Sequence, residues 1–383
     1  MNKEVKKVVI IGGGFGGFLL ARKLESIKRF KVVLIDPKDY FLYTPLIHEV
    51  SVGAIPSESV KVYYKRVFKR VIHLKTRAKE INFLNKTVRI TNNKIIDCDI
   101  LVVAIGSEPF NPIPTDDVLP TLKTIANALK IKKELGEIFE KRKPIISVVG
   151  EGPSGTEIIT EIASLSKSIK KNITLNHFLY FPGYFLNLPK FNETIKNRMK
   201  RLNVNVHLNE PVKEILDNEI ITEKGNYKSD YIIACTGVKH VRISTDINND
   251  NGFLINSYCQ IIGQQDAYAI GDVALLQYQG EYVPKLALIA RQQAIYLSKH
   301  FINKEKDKTS KPIKFLFATF ISLGKYYGIA RIMNQVTLSG KIIWILKRSY
   351  YFLHILSLNR NYRLIKTLLI SMISRNQFFF NKK

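Results

Sequence analysis

The sequence predicts an α/β fold with two doubly wound, parallel-sheet units, the second inserted into the first, followed by a basic amphipathic tail. Three observations predict it. An apolar strand that breaks into clustered glycines and then a helical pattern occurs twice, over 7–24 and 145–168. Three further apolar strands are each stopped by glycine, at Gly106, Gly237 and Gly271. Residues 313–383 hold twelve Lys or Arg and no Asp or Glu. Strands alternating with helices imply parallel sheets, and 383 residues leave room for two or three domains.

The first unit opens with Lys7–Ile11, Gly12-Gly13-Gly14-Phe15-Gly16-Gly17, an amphipathic helix, and a strand Val32–Ile35 ending in Asp36. Gly12 permits the tight turn, Gly14 lets a pyrophosphate approach the backbone, and Gly17 lets helix pack on strand. The helix N-terminus offers free N–H groups and partial positive charge to phosphates. Asp36, 19 residues after Gly17, is placed to accept from ribose hydroxyls. Strand, glycines, helix, strand and acid in register specify a dinucleotide site.

The pattern recurs at Ile145–Val149, Gly150-Glu-Gly152-Pro153-Ser154-Gly155-Thr-Glu157, a helix to about Ser168 and a strand Asn172–Leu175. Two sites in one chain imply two dinucleotides. The ribose-reading position, 22 residues after Gly155, is assigned to His177, with no carboxylate nearer than Glu193, which leaves NADH and NADPH both open. The strands ending at Gly106 and Gly237 each close one unit. The strand Ala267–Ile270 ends in Gly271-Asp272, where Asp272 either holds a ligand hydroxyl or caps the next turn.

Composition excludes several classes. Apolar residues make up 46% and charged residues 24%, which argues against extended disorder and a polytopic membrane protein. The net charge is +27, of which +15 is spread over the first 312 residues. Lys far exceeds Arg there, so this diffuse charge reads as background, and no nucleic-acid module accompanies it. Cys98, Cys235 and Cys259 are far apart and form no C-x-x-C pair, so a disulfide framework and a thiol-bound metal are not expected. The seven histidines lack ligand spacing, so no metal is assigned. The run Val8–Ile11 is too short for a secretory signal, which places the folded mass on the cytoplasmic side, and no apolar stretch is long enough to be read as a span.

With these residues in hand, the chain resembles the two-dinucleotide-binding flavoproteins of the pyridine nucleotide-disulfide oxidoreductase fold, and among them the type II, non-proton-pumping NADH dehydrogenases. The resemblance covers nearly the whole chain and implies two Rossmann-like domains. It assigns FAD to Gly12, Gly13, Gly14, Phe15, Gly16, Gly17, Asp36, Pro45, Ala78, Gly106, Gly271, Asp272, Leu286 and Ala287. It assigns the nicotinamide nucleotide to Gly150, Gly152, Pro153, Ser154, Gly155, Glu157 and Gly237, with Glu157 the candidate catalytic residue beside the nicotinamide or, alternatively, a complement to the helix dipole. The segment 283–293 resembles a quinone-site signature through Ala287, Ala290, Gln292 and Gln293, with Leu288 where a Gln is expected. The implied activity is hydride transfer from NADH to flavin N5 and two electrons to quinone, without proton pumping. Disulfide reductases and sulfide:quinone oxidoreductases of this fold carry cysteine pairs that this chain lacks.

The implied boundaries are 1–112 with 242–312 for FAD, an inserted 113–241 for NAD(P)H, and 313–383 as a membrane-associating region. In that last region Asn359–Arg375 sets Ile365, Leu368, Leu369, Met372 and Ile373 on one helical face, and Trp344, Tyr350, Tyr351 and Phe352 cluster beside Lys347 and Arg348. Cations, boundary aromatics and an apolar face without acid describe a helix lying in an anionic lipid headgroup region, hence peripheral attachment to the cytoplasmic side of a cell or inner membrane. Packing on the core or on a second subunit, as in a homodimer, is the alternative. Rival functions are another FAD-dependent oxidoreductase of this fold, such as a sulfide:quinone enzyme, and a flavin-binding membrane scaffold without turnover.

Overall fold

The computed structural model describes residues 4–332 and 336–359. The chain forms two compact units. Met1–Tyr43, Lys61–Glu108 and Lys239–Leu316 make the first; Thr44–Val60, Pro109–Val238 and Phe317–Lys383 make the second.

The first unit is built on a five-stranded parallel sheet in the order Ala267–Ala269, Ile100–Val103, Lys6–Ile11, Phe30–Ile35, Ile72–Leu74. Its inner strands are apolar almost throughout because helices cover a parallel sheet on both faces; Val8, Val9, Ile10, Leu34, Leu101 and Val102 are fully buried. The helix Phe15–Glu25 buries Phe18, Leu20, Ala21 and Leu24 and packs on the helix Ala287–Glu305. Phe18 stacks on Phe41 at 4.7 Å and Phe15 meets the same ring edge-on at 4.9 Å, which fixes the helix start where the glycine turn delivers it. The third glycine-stopped strand joins the edge of this sheet beside Ile100–Val103.

The second unit repeats the plan with four parallel strands in the order Val204–His207, Thr174–Phe178, Ile145–Val149, Tyr231–Ala234. The helix Pro153–Ser168 buries Ile158, Ile159, Ile162 and Leu165 against Ile146, Val148, Leu175 and Ile233. Val52 and Ala54, and Ile321, Leu323 and Ile329, enter the same core. That is why 44–60, read from the sequence as part of the first domain, and the start of the C-terminal region group with this unit: their apolar side chains complete its core. The C-terminal segment forms an antiparallel sheet, Ala318–Ser322, Gly328–Ile332 and Val336–Gly340, leading into the helix Lys341–Asn359. The amphipathic pattern read over 359–375 lies outside the described residues from 360 onward.

Candidate functional site

The two glycine turns are built alike. Gly12 has φ +99° and a Cβ there would lie 2.3 Å from Ala104 O; Gly150 has φ +114° and a Cβ would lie 2.2 Å from Cys235 O. Each turn therefore crosses a neighbouring strand end at a distance only glycine permits. Gly17 and Gly155 do the packing expected of them: a Cβ on either would sit 1.9 Å from Gly12 O or 2.0 Å from Gly150 O. Gly14 and Gly152 are the N-caps of their helices, with no capping side chain and open space where a Cβ would be. A cradle with room beside the glycine, over uncapped helix N–H groups and with no acid in the first turn of either helix, fits a pyrophosphate.

In the first unit Asp36 is 3% exposed and accepts from Gly13 N at 2.6 Å and Lys38 N at 2.8 Å. Tyr64 donates to Gly13 O at 3.0 Å and holds the turn from the other side. In the second unit the sequence-based position of the matching residue is corrected by register. Ile11 pairs with Ile35 and Val149 with Phe178, so the counterpart of Asp36 is Leu179. His177 is fully buried inside the unit, with Nδ1 2.8 Å from Tyr184 Oη and Nε2 2.9 Å from Gly150 O. Burial pushes its pKa down to about 4, so it is a neutral brace under the glycine turn.

The sequence profile of the pyridine nucleotide-disulphide oxidoreductase family matches residues 6–294, which span both cradles. The chain belongs to that family. It is 26% identical to a type II NADH:quinone oxidoreductase of Haemophilus influenzae, over 91% of this chain and 93% of that protein. Its fold matches NDH2 of Plasmodium falciparum in complex with NADH at a TM-score of 0.84 and 18% identity, covering 98% and 99% of the two chains. It also matches the sulfide:quinone oxidoreductase of Aquifex aeolicus at 0.83 and 17%, covering 93% and 92%. The architecture is thus the two-dinucleotide-binding flavoprotein fold of this oxidoreductase family.

Other family positions are placed as follows. Gly106 and Gly271 both have positive φ, +74° and +77°, and Ser107 Oγ donates to Asp272 Oδ2 at 2.5 Å, so Asp272 is tied to the glycine-stopped strand beside it. Pro45 sits in the 3-10 turn Thr44–Leu46 of the second unit, and Ala78 begins a strand of a mixed four-stranded sheet in the first. The helix that carries most of the segment 283–293 begins at Ala287, after an uncapped Leu286. Gln293 is 2% exposed and its Oε1 accepts from Gly271 N at 2.7 Å. Gln292 exchanges two hydrogen bonds with the backbone of Leu316, at 2.9 and 2.8 Å. Both amides expected at a quinone are engaged by the chain itself. Ala287 and Leu288 are half-buried at the helix start.

Glu157, on the first turns of the second glycine helix, is 8% exposed. Its carboxylate accepts from Lys347 Nζ and from Ser322 N at 3.1 Å, and lies 3.3 Å from His48 Nδ1. The neighbouring pair Arg348–Glu49 closes at 2.9 Å. The sequence reading placed Lys347 and Arg348 at a lipid boundary; the structure turns both inward, because two buried carboxylates need counter-charges. His48, Glu49 and Glu161 each bring one ligand-type atom within 4.8 Å of the others, and the Arg348 guanidinium supplies positive charge beside them. The outward face of the helix Lys341–Asn359 carries Ile342, Ile345, Leu346, Tyr350 and Leu353. Sequence reasoning missed this inversion, and it missed Glu151, although an acid between two motif glycines was a visible signal.

Proposed function

We propose that the protein is an FAD-dependent NADH:quinone oxidoreductase that works at a membrane surface. The observation that carries this reading is the pair of matching glycine cradles in one chain, in a family member that aligns over nine-tenths of its length with a type II NADH:quinone oxidoreductase. Bound FAD would supply the redox chemistry, accepting a hydride at N5 and releasing two electrons.

The residues of the chain do the rest. Gly12, Gly14 and Gly17, with Asp36, form the cradle for FAD; Gly150, Gly152 and Gly155 form the one for NADH. The uncapped start of Ala287–Glu305 offers N–H dipoles to the flavin, beside Gly271, whose own N–H is held by Gln293. Leu288 offers an apolar wall to a quinone ring. Glu157 keeps a buried, ion-paired carboxylate beside Lys347 and His48, on the first turns of the helix that would receive the nicotinamide nucleotide.

For attachment, the outward stripe on Lys341–Asn359 follows the spacing i, i+3, i+4, i+8, i+11, with Ile342 72% and Leu353 66% exposed. An apolar face with no acid anywhere in 313–383 suits an anionic lipid surface. No described helix is long and apolar enough to cross a membrane, so the reading is of a helix lying on the bilayer.

A sulfide:quinone activity is the second reading, favoured by the Aquifex fold match. Against it, burial pushes the Cys98 and Cys235 thiols up to about 12, and Thr156–Leu175 holds no cysteine. Steady-state assay of the purified, FAD-loaded protein with a short-chain quinone separates the two. Turnover with NADH and none with sulfide supports the proposal; turnover with sulfide alone sinks it.

A further inference from the structure

The two glycine turns differ in where their facing carboxylate comes from. In the first unit it is Asp36, the residue after the strand Phe30–Ile35, with Oδ2 accepting from Gly13 N at 2.6 Å. In the second unit the residue in register with Asp36 is Leu179, apolar and 0% exposed. The carboxylate is supplied instead by Glu151, which stands in the motif where Gly13 stands in the first. Its Oε2 accepts from Tyr180 N at 3.3 Å.

The geometry of the first unit explains why the exchange works. A Cβ on Gly13 would lie 1.9 Å from Tyr64 Oη and 3.0 Å from Asp36 Oδ2, so Tyr64 keeps that turn position glycine in the first unit, and the position itself lies next to the place the strand acid fills. The first unit keeps glycine there and puts the acid on the strand. The second puts an apolar residue on the strand and the acid on the turn. Both end with a carboxylate at the junction between the glycine turn and the neighbouring strand.

We infer that Glu151 reads the adenosine ribose of the nicotinamide nucleotide and selects NADH over NADPH. This rests on the second cradle being the nicotinamide site. A carboxylate at that junction accepts from the ribose hydroxyls. A 2′-phosphate removes one of those donors and brings close to two negative charges against it. The residues that follow Leu179 are Tyr180 and Phe181, exposed and aromatic, and neither is a cation that would reverse the preference.

The test is equilibrium binding of NAD⁺ and NADP⁺ to the full, FAD-loaded chain by calorimetry, for the wild type, Glu151→Gln and Glu151→Gly. The wild type is expected to bind NAD⁺ at least about tenfold more tightly, the value of one charge-assisted hydrogen bond. Glu151→Gln, equal in size and neutral, is expected to bring the two affinities within about threefold. Glu151→Gly, which restores the residue type of the first turn, is expected to do the same. Equal affinities in the wild type, an unchanged ratio in both variants, or no binding of either nucleotide overturns the inference. Anaerobic flavin reduction is read in parallel. If NADH bleaches the flavin while the ratio is unmoved, the Glu151 reading alone fails; if the ratio moves and NADH never bleaches the flavin, the donor proposal alone fails.

Discussion

Arg348 Nη2 lies 2.9 Å from Glu49 Oε2, with both side chains 2% exposed. This buried ion pair fastens the C-terminal helix to the segment 44–60, which contributes Val52 and Ala54 to the second unit's core. Removing one partner leaves a buried charge uncompensated. Arg348→Met is expected to lower unfolding free energy by about 3–5 kcal/mol, whereas the double variant Glu49→Leu/Arg348→Met recovers most of that loss. Urea denaturation of the three proteins measures it, and a double variant as unstable as the single one contradicts the pairing.

His177 sets an acid limit on stability. Its folded pKa is lowered to about 4 by burial, below the unfolded value of about 6.5. The sign follows: the neutral form is favoured by folding, so the contribution is complete above about pH 6.5 and is lost as pH falls toward 4. The loss amounts to roughly 3 kcal/mol across that window. Unfolding free energy measured from pH 7 to pH 4 should fall less steeply in His177→Gln, which keeps polar contact with Gly150 O without titrating. An identical slope in the variant removes His177 from the account.

The outward stripe of Lys341–Asn359 is expected to hold the protein on anionic vesicles. Each leucine that leaves water contributes roughly 1.5–3 kcal/mol, so Leu346→Ser and Leu353→Ser should each lower partitioning by about tenfold or more. Flavin reduction by NADH should be unchanged in both. Vesicle sedimentation checks this; retention equal to wild type in the double variant would place the attachment elsewhere.

What the sequence disclosed and what it concealed follow from the range of the interactions. Gly12, Gly17, Gly150 and Gly155 were readable because each glycine requirement is local: a positive φ or a backbone oxygen within about 2 Å of a would-be Cβ. Asp36 was readable because its strand follows a short helix. The matching position in the second unit was misplaced onto His177 because the second glycine helix has 16 residues against 11 in the first, so an offset counted from the glycines no longer falls on the strand end. Strand register, a tertiary property, moves it to Leu179. Lys347 and Arg348 were read as facing lipid because the carboxylates that draw them inward, Glu157 and Glu49, lie 190 and 299 positions away in the chain. The glutamines at 292 and 293 fit a quinone pattern in sequence, and only the structure shows their amides bonded to Leu316 and Gly271.

The central claim is that two cradles in this chain hold two dinucleotides with separate tasks. Gly155→Ala tests it most directly, since the added Cβ would sit 2.0 Å from Gly150 O and 3.3 Å from Cys235 Cβ, both atoms of the second unit. Flavin absorbance is followed during anaerobic titration with NADH. The wild type should bleach at about one NADH per flavin, a two-electron hydride transfer, while Gly155→Ala should keep its yellow colour and bleach at least about a hundredfold more slowly, as expected when a misplaced cradle spoils the approach of donor to acceptor. A variant that retains flavin, melts like the wild type and bleaches at the wild-type rate would contradict the claim.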